Sequence, residues 1–298
     1  MTSDTDLFAS LRPRLFGIAY RMLGARGDAE DLVQDAYLRW HAVDTGTLES
    51  PEAWLVTVVT RLSIDRLRAL KAERASYFGI WLPEPLVESA DSAPSSESTL
   101  AFYDDLSTAF LLMLERLGPE ERAAFLLREV FDHDYPDIAA LLDKSEAACR
   151  QLVSRARERV RRDQPRFEVS AQAHRQLIER FAAAARSGAR EPLMALLADN
   201  VQLLGDGGGV VPSFGKVLHG ALRIANLYHV VTRQPASQPH YELATINGRL
   251  GLLRWMDGVL ESAQSLDTDG ERIHAIYVVR NPHKLRDIAA QRGHETRS

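Results

Sequence analysis

Apolar residues recur at helical spacing through the first quarter of the chain. Phe8, Leu11, Leu15, Ile18, Ala19 and Met22 mark one helix. Gly24 and Gly27 interrupt it. Leu32, Val33, Ala36, Tyr37 and Trp40 then line one face of a second helix, with Asp28 placed to cap its start. Residues 44–49 are polar and turn-like. Ser50-Pro51-Glu52 reads as the next helix start, with proline at the first helical position. This third helix carries Leu55, Val58, Val59, Leu62 and Leu67.

The periodicity breaks at residues 79–99, which hold Pro83, Pro85, Pro94 and five serines. That composition predicts a linker. Trp81 and Leu82 sit inside it, although a bare spacer has no need of a tryptophan. Helical spacing returns from Leu100 to Arg162. Asp134 is placed to cap a short helix with Pro136 in its first turn and Ile138, Ala139, Leu141 and Leu142 following. Lys144-Ser145 makes a turn, with Ser145 as the next N-cap. The helix after it puts Cys149, Leu152, Val153, Ala156 and Val160 on a buried side. Arg150, Gln151, Ser154 and Arg157 gather on the other, because residues three and four apart share a face. The segment has the pattern of a helix-turn-helix.

From Val169 to Asn281 the pattern changes. Helices are predicted around 174–186, 191–197 and 222–232. Strands are predicted at 201–204, 241–246, 250–256, 259–265 and 273–279, bounded by Asn247-Gly248, Asp257-Gly258 and Asp269-Gly270. Helices followed by an antiparallel meander predict an α+β sandwich or cone. The polar tail from Arg286 to Ser298 is expected to be mobile.

Length and charge sharpen this picture. The 298 residues fit about two domains, and 45% hydrophobic with 26% charged is an ordinary globular balance. One cysteine, Cys149, excludes a disulfide scaffold and fits a reducing, cytosolic compartment. No apolar run is long enough to span a bilayer, and residues 1–6 hold two aspartates and no basic residue, unlike a secretory signal. The net charge of −5 is no mark of a globally basic nucleic-acid binder. Residues 144–162, however, carry seven basic residues against Glu146 and Glu158, and local patches decide such binding.

Each feature also has a plainer reading. The basic helix can be a solvated bundle face rather than a reader of base edges in the major groove. The acidic face of Asp28, Asp31 and Asp35 can complement the helix dipole rather than dock a basic partner. Arg61, Arg66, Arg68, Lys71 and Arg74 suit single-strand binding beside a polar loop, or an ordinary amphipathic helix. Asp206, in Gly205-Asp206-Gly207-Gly208-Gly209, can act as a general base or cap a tight turn. No nucleotide-binding, hydrolase or metal-ligand motif is present, so neither a cofactor nor a metal is expected.

Taken together the motifs are similar to a known family. Asp28-Ala29-Glu30-Asp31-Leu32-Val33-Gln34-Asp35-Ala36 resembles the region 2 core-binding helix of extracytoplasmic-function (ECF) sigma factors. Pro51-Glu52-Ala53-Trp54-Leu55 through Asp65-Arg66-Leu67-Arg68 resembles their minus-ten region. Leu117-Gly118-Pro119-Glu120-Glu121-Arg122, Ile138-Ala139 and Ser154-Arg155-Ala156-Arg157 resemble region 4. Trp81-Leu82-Pro83-Glu84-Pro85, Asp206-Gly207-Gly208-Gly209-Val210 and Asn281-Pro282-His283-Lys284-Leu285 resemble signatures of the type with a fused SnoaL-like C-terminal domain, in which an Asp usually stands where this chain has His283.

The resemblance implies a multidomain chain: two all-α sigma domains and an α+β SnoaL-like, ketosteroid-isomerase-like cone. Region 2 would span 7–76, the linker 77–100, region 4 101–163, the SnoaL-like domain 169–285 and the tail 286–298. Asp28, Asp31, Gln34 and Asp35 would dock on the clamp of the largest subunit of core RNA polymerase. Arg61, Asp65 and Arg68 would hold the minus-ten strand. Arg150, Gln151, Ser154, Arg155 and Arg157 would read the minus-thirty-five element of promoter DNA. Relatives often carry a basic residue in place of Leu152. Trp81, Leu82, Pro83, Asp206, Asn281 and Lys284 would form a regulatory contact. Implied is regulation in cis, without a membrane partner, a separate anti-sigma factor or catalysis; a ligand of the cone stays open. The alternatives are a one-component transcription regulator with a ligand-sensing C-terminal domain, and a SnoaL-like enzyme fused to a DNA-binding module, marked by Asp206 buried beside a histidine.

Overall fold

The computed structural model describes residues 4–88, 106–163, 169–233 and 239–292. The predicted start of the second helical block at Leu100 and the serines of the linker lie outside the described residues. The chain divides into two compact units. Among the described residues the first holds 4–75, 106 and 110–163, and the second holds 76–88, 107–109, 169–233 and 239–292.

The first unit is helical. Helices α1 (Asp4–Leu23), α2 (Arg26–Ala42) and α3 (Pro51–Ala75) bury Leu15, Ile18, Met22, Val33, Trp40, Leu55 and Val59, the apolar face their spacing predicts. Asp28 does not cap α2. Ala25 holds that position, without a side-chain bond. Asp28 lies in the first turn, where a carboxylate still meets the positive helix end, and it pairs with Arg66 of α3 at 2.9 Å. Next come α4 (Thr108–Leu114), whose first two residues belong to the second unit, α5 (Pro119–Glu129), α6 (Tyr135–Leu142) and α7 (Glu146–Asp163). Asp143 turns left-handed between α6 and α7, and Ser145 Oγ accepts from the Ala148 amide at 3.2 Å, so the helix-turn-helix forms as read. Asp134 is the residue before α6 but makes no cap bond; its carboxylate pairs with Arg128 instead. The buried Arg122 of α5 donates to the Met22 carbonyl at 2.5 Å and to Glu115 at 2.8 Å, joining α5 to the end of α1.

The second unit is a mixed sheet backed by helices α8 (Ala171–Ser187), α9 (Arg190–Leu196), α10 (Ala221–Thr232) and α11 (Pro282–Gln291). Its strands are β1 (Leu197–Asp206), β2 (Leu218–His219), β3 (Pro239–Ile246), β4 (Arg249–Met256), β5 (Val259–Thr268) and β6 (Ile273–Val279), in the order β2-β1-β6-β5-β4-β3. β3 to β6 form the expected antiparallel meander, and Asn247-Gly248 and Asp257-Gly258 take the positive φ that tight hairpin turns require. The purely antiparallel reading fails at β1, which runs parallel to β6. Strand alternation carries no information about which distant edge a strand will join. Phe181, Tyr228, Leu252 and Ile276 lie in the core between helices and sheet.

Two further expectations change. The tail is ordered as α11 as far as Gln291, because Leu285, Ile288 and Ala289 fall on one face and are buried; the polar composition hides that spacing. The linker is not bare spacer at its start. Leu82, Pro83, Pro85 and Leu86 are buried, Val87 bridges Ile246, and the Glu88 amide donates to the Thr245 carbonyl. The segment thereby covers the Thr245–Ile246 end of β3, an edge strand whose open hydrogen bonds would otherwise invite pairing.

Candidate functional site

A buried carboxylate organises the second unit. Asp206, at the end of β1, is wholly inaccessible. Its Oδ1 accepts from the Tyr77 hydroxyl at 2.5 Å and the Gly208 amide at 3.0 Å. Its Oδ2 accepts from the Leu82 amide at 2.9 Å and Lys284 Nζ at 2.8 Å. Four donors on two oxygens satisfy a charge that would be costly to bury alone. Lys284 also donates to the Leu82 carbonyl at 2.5 Å, and its ammonium lies 4.4 Å from the centre of the Trp81 ring, within cation–π range. Burial, reinforced by the Asp206 carboxylate, pushes the Tyr77 hydroxyl well above its ordinary pKa and keeps it a donor.

The turn after β1 is built for this contact. Gly208 has φ +63°, and a Cβ there would lie 2.3 Å from Asn281 Nδ2; at Gly207 it would lie 2.3 Å from the Val211 carbonyl oxygen. Asn281 caps α11 by accepting from the His283 amide at 3.0 Å and donates to the Tyr77 hydroxyl at 3.0 Å. The His283 ring is exposed, and only its backbone enters the cap. Histidine in place of the usual Asp therefore leaves the contact intact.

A second clasp lies at the β3–β4 turn. Asn247 is buried with φ +50°. Its Oδ1 accepts from the Leu86 amide at 2.8 Å, its own amide donates to the Leu86 carbonyl, and its Nδ2 donates to Thr108 Oγ1 at 3.3 Å. One side chain thus holds both ends of the stretch between Leu86 and Thr108.

The structure brings together Trp81, Leu82, Asp206, Asn281 and Lys284, with Pro83 buried beside them. Sequence reasoning missed Tyr77 and Asn247. Tyr77 follows the third helix with no local pattern to mark it, and Asn247 carries a signal that a hairpin turn already explains. Asp206 does cap its turn, through Gly208, as the plainer reading had it.

In the first unit the sequence-predicted polar faces are separate. Asp31, Gln34 and Asp35 are exposed on α2. Gln151, Ser154 and Arg155 are exposed on α7, and Arg150 lies over the Tyr135 ring at 5.0 Å and pairs with Glu146. Arg157 pairs with Glu129, Arg155 and Arg159 with Glu121. On α3, Arg61 Nε donates to the Leu141 carbonyl at 3.0 Å, and Arg68 pairs with Asp65 and with Glu120. Region 4 residues therefore occupy two of the three side chains expected to hold a DNA strand. No group of three or more candidate metal ligands occurs among the described residues, and no described helix is long and apolar enough to cross a membrane.

Comparison with known proteins places these parts in order. The family model for Sigma-70 region 2 matches residues 7–73, and that for Sigma-70 region 4 matches residues 107–160. The chain is 35% identical over 293 residues to the ECF RNA polymerase sigma factor SigJ of Mycobacterium tuberculosis H37Rv, covering 95% of this chain and 93% of that one. It is 30% identical over 289 residues to a probable ECF RNA polymerase sigma factor, SigI, from M. tuberculosis CDC 1551, covering 95% and 94%. The crystal structure of the M. tuberculosis ECF sigma factor SigJ superposes with a TM-score of 0.75 at 32% identity, over 94% of this chain and 98% of that one. With both sigma regions matched in order and whole-length relatives at this identity, the chain belongs to the ECF RNA polymerase sigma factors, which direct promoter-specific transcription initiation by core RNA polymerase.

Proposed function

We propose that this sigma factor is regulated in cis by its C-terminal unit, which latches the segment joining region 2 to region 4. The observation that carries the reading is the Asp206 carboxylate, satisfied on all sides by Tyr77, Leu82, Gly208 and Lys284. Latching withdraws residues 76–88 from the connection between the regions. At ~3.5 Å per extended residue the connection would reach about 110 Å with 76–107 available, and about 65 Å with only 89–107. The Asn247 clasp on Leu86 and Thr108 shortens it further. A short connection favours the arrangement in which Arg61 and Arg68 of α3 are occupied by Leu141 and Glu120. Release frees them for the minus-ten strand, and the two states form a population the latch can bias.

Within this reading the exposed Asp31, Gln34 and Asp35, with Asp28 at their head, meet the polymerase clamp. Arg61, Asp65 and Arg68 hold the minus-ten strand. Arg150, Gln151, Ser154, Arg155 and Arg157 read the minus-thirty-five element. The C-terminal unit has no catalytic duty at Asp206, because both oxygens are saturated by donors from the chain and none is open to take a proton from a substrate. The test is run-off transcription with purified core polymerase, comparing the wild type with Asp206→Asn. Promoter-specific output that changes with the substitution supports cis regulation; identical output at every polymerase concentration overturns it.

A further inference from the structure

The second unit contains a cavity of about 420 Å³ between the sheet and α10, a size suited to a small organic ligand. Leu203, Leu227, Val231, Met256 and Val278 make its walls apolar, and Phe214 stands at the loop side. Its polar end is charged. Arg254, Glu261 and Arg280 all line it. Arg254 Nε donates to Glu261 Oε2 at 2.7 Å, and Arg280 Nη2 lies 2.5 Å from Glu261 Oε1. The Arg254 and Glu261 side chains are only 7% and 6% exposed. Glu261 stays ionised: burial opposes this, but Arg254 and Arg280 together hold its pKa below the ordinary value.

Two guanidinium groups thus share one carboxylate, which leaves a single positive charge at the cavity wall, where the Arg280 side chain is 26% exposed. Arg280 Nε is moreover buried without a hydrogen-bond partner among the described residues. A half-buried excess charge with a buried, unpartnered Nε is stabilised when an anion completes it. One negative charge balances the set, whereas a dianion such as phosphate would overshoot. The apolar walls add recognition for a hydrocarbon body, at ~25 cal/mol per Å² covered. We infer that this cavity is a binding site for an amphipathic monocarboxylate, its carboxylate set against Arg254 and Arg280 and its apolar body between the sheet and α10.

The site adjoins the latch, since Gly205 lines it and the Arg280 amide donates to the Asp206 carbonyl at 2.7 Å, but the inference does not rest on the latch. The chain joining the two is short. Pro212, Ser213 and Phe214 line the cavity only a few residues beyond the Asp206-Gly207-Gly208 turn, and Arg280 Nη1 holds the Pro212 carbonyl.

Calorimetric titration of the full chain tests the inference, with sodium decanoate, decanol and decylamine as probes. Decanoate should bind one to one and saturate, at least about tenfold more tightly than decanol, and decylamine should not bind. Arg280→Met removes the surplus charge and leaves Arg254 paired with Glu261, so decanoate and decanol should become equal. Val231→Trp fills the cavity from α10 without touching the charges and should remove binding of both while the melting temperature is kept. Failure of decanoate to bind at millimolar concentration, decanol matching decanoate in the wild type, or undiminished decanoate binding by folded Val231→Trp would each overturn the inference.

Discussion

The Asp206 carboxylate and the Leu82 amide, 124 residues apart in the chain, meet at 2.9 Å, and both residues are fully shielded from solvent. The contact joins a turn of the C-terminal sheet to a segment whose proline and serine content reads as linker. It explains why a tryptophan and a leucine stand in that segment: Leu82 is buried, and Trp81 gives its ring to Lys284.

The turn that presents Asp206 tolerates no side chain at Gly208. Gly208→Ala should destabilise the protein by ~1–3 kcal/mol, because the positive φ and the 2.3 Å approach to Asn281 act together. Gly27→Ala, in the first turn of α2 with nothing within 4 Å, should be neutral or stabilising by up to about 1 kcal/mol. Denaturant unfolding of the two variants checks the contrast.

Binding to polymerase should depend on the exposed acids of α2. Reversing Asp31 and Asp35 to Arg places like charge against a basic partner. The expected outcome is a weakened complex in a pull-down with core polymerase and an unchanged melting temperature, since both residues are exposed.

On α7 two classes of basic residue should separate. Arg150→Ala should relax discrimination at one minus-thirty-five base by ~1–3 kcal/mol. Arg159→Ala should weaken binding equally on matched and scrambled promoters and lower the salt slope by about one, as for a phosphate contact. Salt-titrated binding curves on both DNAs distinguish them. Removing Arg159 also releases Glu121, which Arg155 still pairs.

Stability of the C-terminal unit should fall in mild acid through His174. Burial holds its imidazole below the ordinary pKa, Arg249 pushes the same way, and the Leu250 carbonyl and Asp267 oppose. The unfolded chain takes up a proton near pH ~6.5 that the folded unit resists. The stability His174 confers is therefore present above that pH and declines as the pH falls below it. His174→Gln, which keeps a donor for the Leu250 carbonyl, should flatten the difference in unfolding free energy between pH 7 and pH 5.

Local signals made much of this legible. The 3.6-residue spacing gave α1, α2, α3, α6 and α7, and period-two alternation with Asn-Gly and Asp-Gly turns gave β3 to β6. Trp81 stood out because it is apolar in a polar stretch. What stayed hidden depends on partners distant in the chain. The Tyr77 hydroxyl gains its role from Asp206 and Asn281, and the parallel pairing of β1 with β6 comes from edges that only the folded sheet creates. Asn247 was hidden by its own turn signal: the geometry that makes the hairpin also points its amide at Leu86 and Thr108.

In the proposed regulation Tyr77, Leu82, Asp206 and Lys284 act as one latch on the connection between regions 2 and 4. The direct measurement is a double-mutant cycle of Tyr77→Phe and Asp206→Asn, read as the fluorescence-transfer distance between labels on α2 and α7 in the full chain. Each substitution should lengthen the distance, and the pair together should add little beyond Asp206→Asn alone, because the two groups share one contact. Strictly additive changes, or a distance unmoved by Asp206→Asn, would contradict it.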